Sequence, residues 1–127
     1  MHRKHYKNDA LGFTLAEIMI VVAVIGLLAA LAVPGFVTAR KKSQGRRIVN
    51  DARMMDSAVD QWAMEYNKMD GATIDTSAAG TYLKKGWKTN DILGYNYIVN
   101  NVGATQIQVS PTTKIVLSGV SIDWGPY

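Results

Sequence analysis

The residues that could take part in a specific chemical step lie near the N-terminus, at Gly12, Phe13 and Glu17. If the chain were cut after Gly12, Phe13 would acquire a free ammonium group four residues before the Glu17 carboxylate. Four residues are about one helical turn, and an ammonium of this kind could pair with the Glu17 carboxylate of a neighbouring copy. This pairing would set the stagger between copies.

The element that positions Glu17 is a long apolar helix. Residues 18–39 carry no charge, and at about 1.5 Å per residue they span about 33 Å, the thickness of a bilayer core. This run predicts a membrane-spanning helix. A carboxylate near its edge costs up to about 3 kcal/mol, so Glu17 either pairs with a cation or extends to the lipid headgroups.

The segment from Gly12 to Glu17, GFTLAE, followed by the apolar helix and Pro34, resembles the N-terminal signature of type IV pilins and type II secretion pseudopilins. Ala16 departs from the larger aliphatic residue usual there. The resemblance implies cleavage between Gly12 and Phe13 by a prepilin peptidase, N-methylation of Phe13 and a role for Glu17 in subunit assembly. It also implies an inner-membrane platform protein and an assembly ATPase as partners.

Three residues in the apolar run are helix breakers, Gly26, Pro34 and Gly35. Pro34 cannot donate to the carbonyl of Ala30, which predicts a kink or loosening there. The resemblance implies that the segment between Gly26 and Pro34 can lose helix on assembly. A tolerated membrane kink is the alternative.

Two features leave the topology open. An ordinary secretory signal would use the same apolar run, with cleavage after Ala32. The segment after the run also contains more positive charge than the segment before it, which by charge count places the head in the cytoplasm. We nevertheless predict export of the head, because the leader resembles one with a dedicated export route. The charges after the run are Arg40, Lys41, Lys42, Arg46 and Arg47.

Composition excludes several kinds of chemistry. The chain has no Cys, and its two His residues, His2 and His5, both precede Gly12, so a cleaved product could form no thiol, His triad or His-ligated metal site. No phosphate-binding or calcium-loop spacing is found. The basic segment 40–47 lacks aromatic neighbours on which bases could stack, so lipid is favoured over nucleic acid. We predict no catalytic residue, no cofactor, no metal and no small-molecule substrate.

Beyond the apolar run, an amphipathic helix is predicted from about Arg40 to Lys68, ended by Asp70 and Gly71. Its apolar stripe comprises Ile48, Ala52, Met55, Val59, Trp62, Tyr66 and Met69. A short helix over residues 77–85, capped by Asp75 or Thr76, and three strands over residues 95–99, 105–109 and 114–118 follow.

The predicted fold is therefore α+β, a long N-terminal helix on an antiparallel sheet of about three strands. Residues 1–12 are a leader, residues 13–39 a transmembrane and filament-core helix, and residues 40–127 an amphipathic helix with a small head. The predicted function is a structural filament subunit that assembles by helix bundling, first in the inner membrane and then in a surface pilus or periplasmic pseudopilus. The alternative is a monomeric, membrane-tethered binding or DNA-uptake module.

Overall fold

The computed structural model describes His2 and residues 12–127, so the predicted leader lies almost entirely outside the described residues. Five elements follow in order: helix α1 (Leu15–Glu65), helix α2 (Thr76–Gly80), strand β1 (Ile98–Val99), strand β2 (Ile107–Gln108) and helix α3 (Pro111–Val116). The chain divides into two compact units, residues 1–36 and residues 37–127, and the boundary falls within α1. Residues 37–127 form the head. The α+β class is confirmed.

Helix α1 is 51 residues long and includes the predicted breakers Gly26, Pro34 and Gly35. Pro34 lacks the backbone N–H that a helix interior uses, yet the helix continues on both sides of it. The three residues therefore do not end the helix in this state. Loss of helix between Gly26 and Pro34 during assembly stays a prediction.

The C-terminal end of α1 differs from the prediction. The helix ends at Glu65, and Asn67 has a left-handed φ of 49°. Its N–H donates to Met64 O, and the N–H of Lys68 donates to Ala63 O at 2.8 Å. These two bonds form a Schellman motif, in which Asn can replace the usual Gly. Asn67, rather than Gly71, therefore terminates the helix.

The apolar stripe of α1 forms the centre of the head's core. Ile48, Ala52, Met55, Val59 and Trp62 are each at most 4% exposed. The remaining predicted members are not buried, since Tyr66 is 57% and Met69 82% exposed. Both lie beyond the helix end, where the 3.6-residue period no longer applies.

A close approach between the helix and the C-terminal segment requires glycine in α1. Gly45 is buried, and a Cβ at that position would lie 2.5 Å from Ile122 Cδ1. Any larger side chain would force Ile122 out of its packed position.

The short helix α2 is confirmed, although it ends at Gly80 and the following residues form turns. Asp75 is its N-cap, as predicted, and its Oδ1 accepts from the N–H of Ser77 and of Ala78 at 3.0 and 3.1 Å. Beyond it, the Tyr82 hydroxyl donates to the Glu65 carboxylate and ties this segment to the end of α1.

The sheet has two strands instead of three. Strands β1 and β2 are antiparallel, with Ile98 opposite Gln108 and Val99 opposite Ile107. Residues 95–97 of the first predicted strand contribute only an isolated bridge between Asn96 and Asn90.

The third predicted strand, residues 114–118, is wrong because its first half belongs to α3. Ser110 caps this helix, with Oγ accepting from the N–H of Thr112, and Pro111 occupies the first turn, where its missing N–H costs nothing. Thr113 and Leu117, four residues apart, are both buried. Helical spacing therefore explains this apolar pattern better than strand alternation.

A polar cluster joins α1 to the sheet and to the C-terminal residue. Gln106, only 3% exposed, donates through Nε2 to Asp56 Oδ1 at 3.0 Å and to Asp60 Oδ1 at 2.7 Å. The Tyr127 hydroxyl donates to Asp56 Oδ2 at 3.4 Å. Burial, with a further contribution from the Asp60 charge, raises the pKa of Asp56, although the hydrogen bonds from Gln106 and Tyr127 oppose this shift. The cluster orients one face of α1 towards the sheet.

Candidate functional site

The start of α1 forms a capping box. Thr14 precedes the first helical residue, and its Oγ1 accepts from the N–H of Glu17 at 3.2 Å. In return, the N–H of Thr14 donates to Glu17 Oε2 at 3.2 Å. This reciprocal pair satisfies two backbone donors that a helix N-terminus otherwise leaves unpaired. The first turn of the helix is thus fixed by Thr14 and Glu17.

The capping box gives Glu17 a partner within its own chain that sequence reasoning missed. The signal was present, since Thr followed by Glu three residues later at the start of an apolar run is the capping-box pattern. Thr14 therefore joins Glu17 as a residue of the site. A carboxylate has about four lone-pair positions, so Glu17 can hold the Thr14 amide and accept a further donor at the same time.

The two residues at the predicted cleavage point lie outside the helix and are accessible. Gly12 and Phe13 precede α1 without regular structure, and Phe13 is 85% exposed. Among the described residues, a Cβ built on Gly12 meets no atom within 4 Å. The described part of the chain therefore makes no steric demand for glycine at this position.

The apolar part of α1 contains the only span candidate among the described residues, a helix that by length and composition could cross a membrane. Every residue from 12 to 40 is exposed. Among them are Ile20 at 64%, Leu28 at 60% and Leu31 at 73% exposure. An apolar surface of this length is insoluble in water, so lipid or other protein must cover it.

The predicted basic segment begins directly after this apolar surface. Arg40, Arg46 and Arg47 are exposed, whereas Lys41 and Lys42 are half-buried. Lys41 Nζ donates to Ser118 O at 3.2 Å, so part of this segment is attached to the head. Within the part of the chain that the structure describes, His, Asp and Glu side chains form no group of three that could hold a metal ion.

Comparison with known proteins adds to this geometry. Residues 7–33 match a family model described as the prokaryotic N-terminal methylation motif. The matched segment covers Gly12, Phe13, the capping box and most of the apolar run. The resemblance predicted from the sequence is therefore confirmed for this segment.

The relatives are named as fimbrial proteins and as type II secretion system core proteins. The chain is 35% identical over 83 residues to the type IV major fimbrial protein FimA of Dichelobacter nodosus, an alignment that covers 65% of this chain and 45% of the relative. It is 47% identical over 71 residues to fimbrial protein Q of Moraxella bovis, an alignment that covers 54% of this chain and 45% of the relative. It is also 29% identical over 106 residues to the type II secretion system core protein G of Escherichia coli strain K12, covering 72% of each chain.

Coverage of the relatives is incomplete. The chain spans less than half of the length of the first curated relatives it matches, 45% of the fimbrial protein and 36% of a core protein G from Pectobacterium carotovorum. No solved structure matches the chain.

Proposed function

We propose that this chain, which carries the N-terminal methylation motif and is similar to type IV fimbrial subunits and to type II secretion core protein G, is a structural subunit of a pilus or pseudopilus. The observation that carries the proposal is the position of the motif, whose match includes the exposed Gly12 and Phe13, the capped start of α1 and the apolar residues that follow. The role is assembly rather than catalysis.

The chemistry of the site supports a division of tasks between its residues. Cleavage after Gly12 leaves the Phe13–Thr14 peptide bond intact, so the Thr14 amide keeps its bond to Glu17. The new Phe13 amine stays cationic after one methylation and retains N–H donors for the Glu17 carboxylate of a neighbouring copy. Glu17 thus caps its own helix and pairs with the next copy.

Burial explains why processing leads to a filament. In the membrane, lipid covers the apolar surface of residues 13–39, and outside it only other copies with the same surface can do so. Extraction therefore needs a machine that delivers one helix to another. An inner-membrane platform protein and a cytoplasmic ATPase fill this role in the proposal, together with a prepilin peptidase.

The proposed location follows from the same sequence of events. The precursor crosses the inner membrane once, with its leader in the cytoplasm and its head on the far side. The processed subunit then enters a cell-surface pilus or a periplasmic pseudopilus. Positive charge after the span opposes this orientation, so a dedicated export route is part of the proposal.

The N-terminus of the protein purified from membranes tests this proposal. Intact mass and N-terminal sequencing should give a chain that begins at Phe13 and carries one added methyl group. Secretory cleavage would give Val33, and an unprocessed tether would give Met1 or His2. Either result would overturn the proposal.

The variant Gly12→Val sharpens the test. Because a Cβ at Gly12 meets no atom of the described residues within 4 Å, a block in processing is expected to report on the enzyme's need for close backbone approach. We expect full-length, unmethylated precursor to accumulate in the membrane. Ala10→Val adds similar bulk two residues earlier and serves as the control, which should be processed normally.

A further inference from the structure

Charge on the head is divided along the chain. Residues 40–47 contain five cations and no acid, namely Arg40, Lys41, Lys42, Arg46 and Arg47. Residues 51–75 contain six acids, Asp51, Asp56, Asp60, Glu65, Asp70 and Asp75, against two cations, Arg53 and Lys68. One end of the amphipathic half of α1 is therefore basic and the other acidic. Opposite charges at two separate places on one surface are suited to contact between copies.

A cavity of about 430 Å³ lies between α1 and the turns after α2, beside Arg47, the last cation of the basic end. Its wall on α1 also includes Asp51 and Met54. We call this cavity the basic pocket, defined by the cations Arg47, Lys84, Lys85 and Lys88 around the apolar side chains Met54 and Leu83. Lys88 Nζ lies 2.7 Å from Asp51 Oδ1 and is the only cation in an ion pair among the described residues. Arg47, Lys84 and Lys85 therefore leave the pocket with a net positive charge.

The acidic end carries a shallower depression of about 450 Å³ where α1 ends. We call it the acidic patch, defined by Asp60, Met64 and Asp70. Met64 is 77% exposed, and Asp60 and Asp70 are also exposed. Lys68 lines the same depression and lies with its Nζ 5.8 Å from the centre of the Trp62 ring, in a cation–π contact. Two carboxylates and one cation leave the patch with a single net negative charge.

We infer that the cations around the basic pocket of one copy pair with the carboxylates of the acidic patch on a second copy. The two surfaces are complementary in charge, and each also presents an exposed methionine, Met54 in the pocket and Met64 in the patch. Methionine adapts its shape to irregular apolar surfaces, which suits a contact that repeats between many copies.

The position of the two surfaces decides what kind of assembly this contact builds. They are different places on the same chain, so the contact is heterologous. The pocket of each copy contacts one neighbour, and its patch contacts another. A heterologous contact that does not close into a ring produces an open helical filament. The inference rests on the proposed function and names the head surfaces that act in it.

Disulfide trapping tests the contact directly, because the chain contains no Cys. The double variant Lys85→Cys with Met64→Cys places one thiol at the pocket and one at the patch. Filaments sheared from oxidised cells should give a ladder of dimers, trimers and longer multimers on a non-reducing gel. Each single variant should give far fewer cross-links. The matched control pairs Lys85→Cys with Ile115→Cys, which is 71% exposed on α3 and should give no ladder.

A charge exchange tests the electrostatic part. Lys85→Glu should lower filament yield about fivefold or more at low salt, since like charges then face each other along the whole filament. Asp70→Lys alone should do the same, and the two together should restore the yield because the pair is reversed. Asp60 is left unchanged in this test because it holds Gln106.

The outcomes separate the two proposals. If the wild-type chain forms no filament, the proposed function fails. If filaments form but the double-cysteine variant gives no ladder, or if the combined charge exchange does not restore yield, the contact is wrong and the proposed function stands.

Discussion

The two halves of helix α1 differ in the exposure of the same residue type. Ile25 is 61% exposed, whereas Ile48 is completely buried, although both lie in one continuous helix. The difference lies in what surrounds each half. Residues 13–36 are all exposed in the part of the chain that the structure describes. The half from residue 45 onwards is covered by the sheet, the loops and the C-terminal segment.

This contrast assigns the two halves to different tasks. The apolar stripe of the second half is already buried in the core of the head, so this half needs no further partner to cover it. The first half must find its cover in lipid or in other copies. Substitutions in the first half should therefore affect assembly, and substitutions in the second half should affect folding.

The largest effect is expected for Glu17. Glu17→Ala should insert into the membrane normally but lose filaments by about 100-fold or more, because loss of one partner of a desolvated ion pair costs about 3 kcal/mol or more. The measurement is the amount of subunit in the sheared filament fraction relative to the membrane fraction.

Two further variants separate pairing from capping at this site. Glu17→Gln keeps the capping-box geometry, since Gln serves in place of Glu, but removes the charge. It should fail as Glu17→Ala does. Thr14→Val removes the hydroxyl cap and keeps the charge, at a cost of about 1 kcal/mol. It should retain most filaments. Normal assembly of Glu17→Gln would show that capping, rather than charge pairing, is the role of Glu17.

A matched pair of isoleucines tests the division of the helix itself. Ile48→Ala should lower the free energy of unfolding of the head by about 2 to 5 kcal/mol, because it leaves a cavity in a packed core. Ile25→Ala makes the same substitution on an exposed position and should leave head unfolding unchanged. Urea denaturation of the detergent-solubilised chain, followed by near-ultraviolet circular dichroism, measures both. Equal losses would contradict the division.

The smallest effect concerns the pH dependence of the head. The pKa of Asp56 is raised above its ordinary value of 3.8, so the folded state binds the proton more tightly than the unfolded state does. The resulting stabilisation is complete below pH 3.8 and is lost as pH rises through the folded pKa. At pH 7, ionised Asp56 therefore costs stability.

Asp56→Asn removes this cost and keeps an oxygen for the Gln106 donor. It should raise the free energy of unfolding at pH 7 slightly, within about 0.5 kcal/mol because solvent screens this part-exposed side chain. The advantage should disappear as pH falls through the folded pKa and below 3.8. Thermal unfolding from pH 3 to 8 measures it, with the exposed Asp70→Asn as a control that should show no such trend. A loss of stability at pH 7 would contradict this prediction.

Features that depend only on spacing along the sequence could be predicted before the structure was known. An uncharged run of residues 18–39 has the same length in any fold, and the stripe from Ile48 to Trp62 follows from the helical period. The cap at Asp75 is equally local, since its bonds join neighbours two and three residues away. The capping box of Thr14 and Glu17 was also readable from sequence, although the prediction did not use it.

Tertiary structure decided the features that depend on distant partners. The apolar pattern of residues 114–118 is compatible with either a strand or a helix. In the structure, Thr113 and Leu117 are buried together at helical spacing. The need for glycine at position 45 comes from Ile122, far along the chain. The basic pocket exists only because the turns after α2 bring Lys84 and Lys85 to Arg47. Such contacts have no signature in sequence spacing, because their energy depends on packing across the chain.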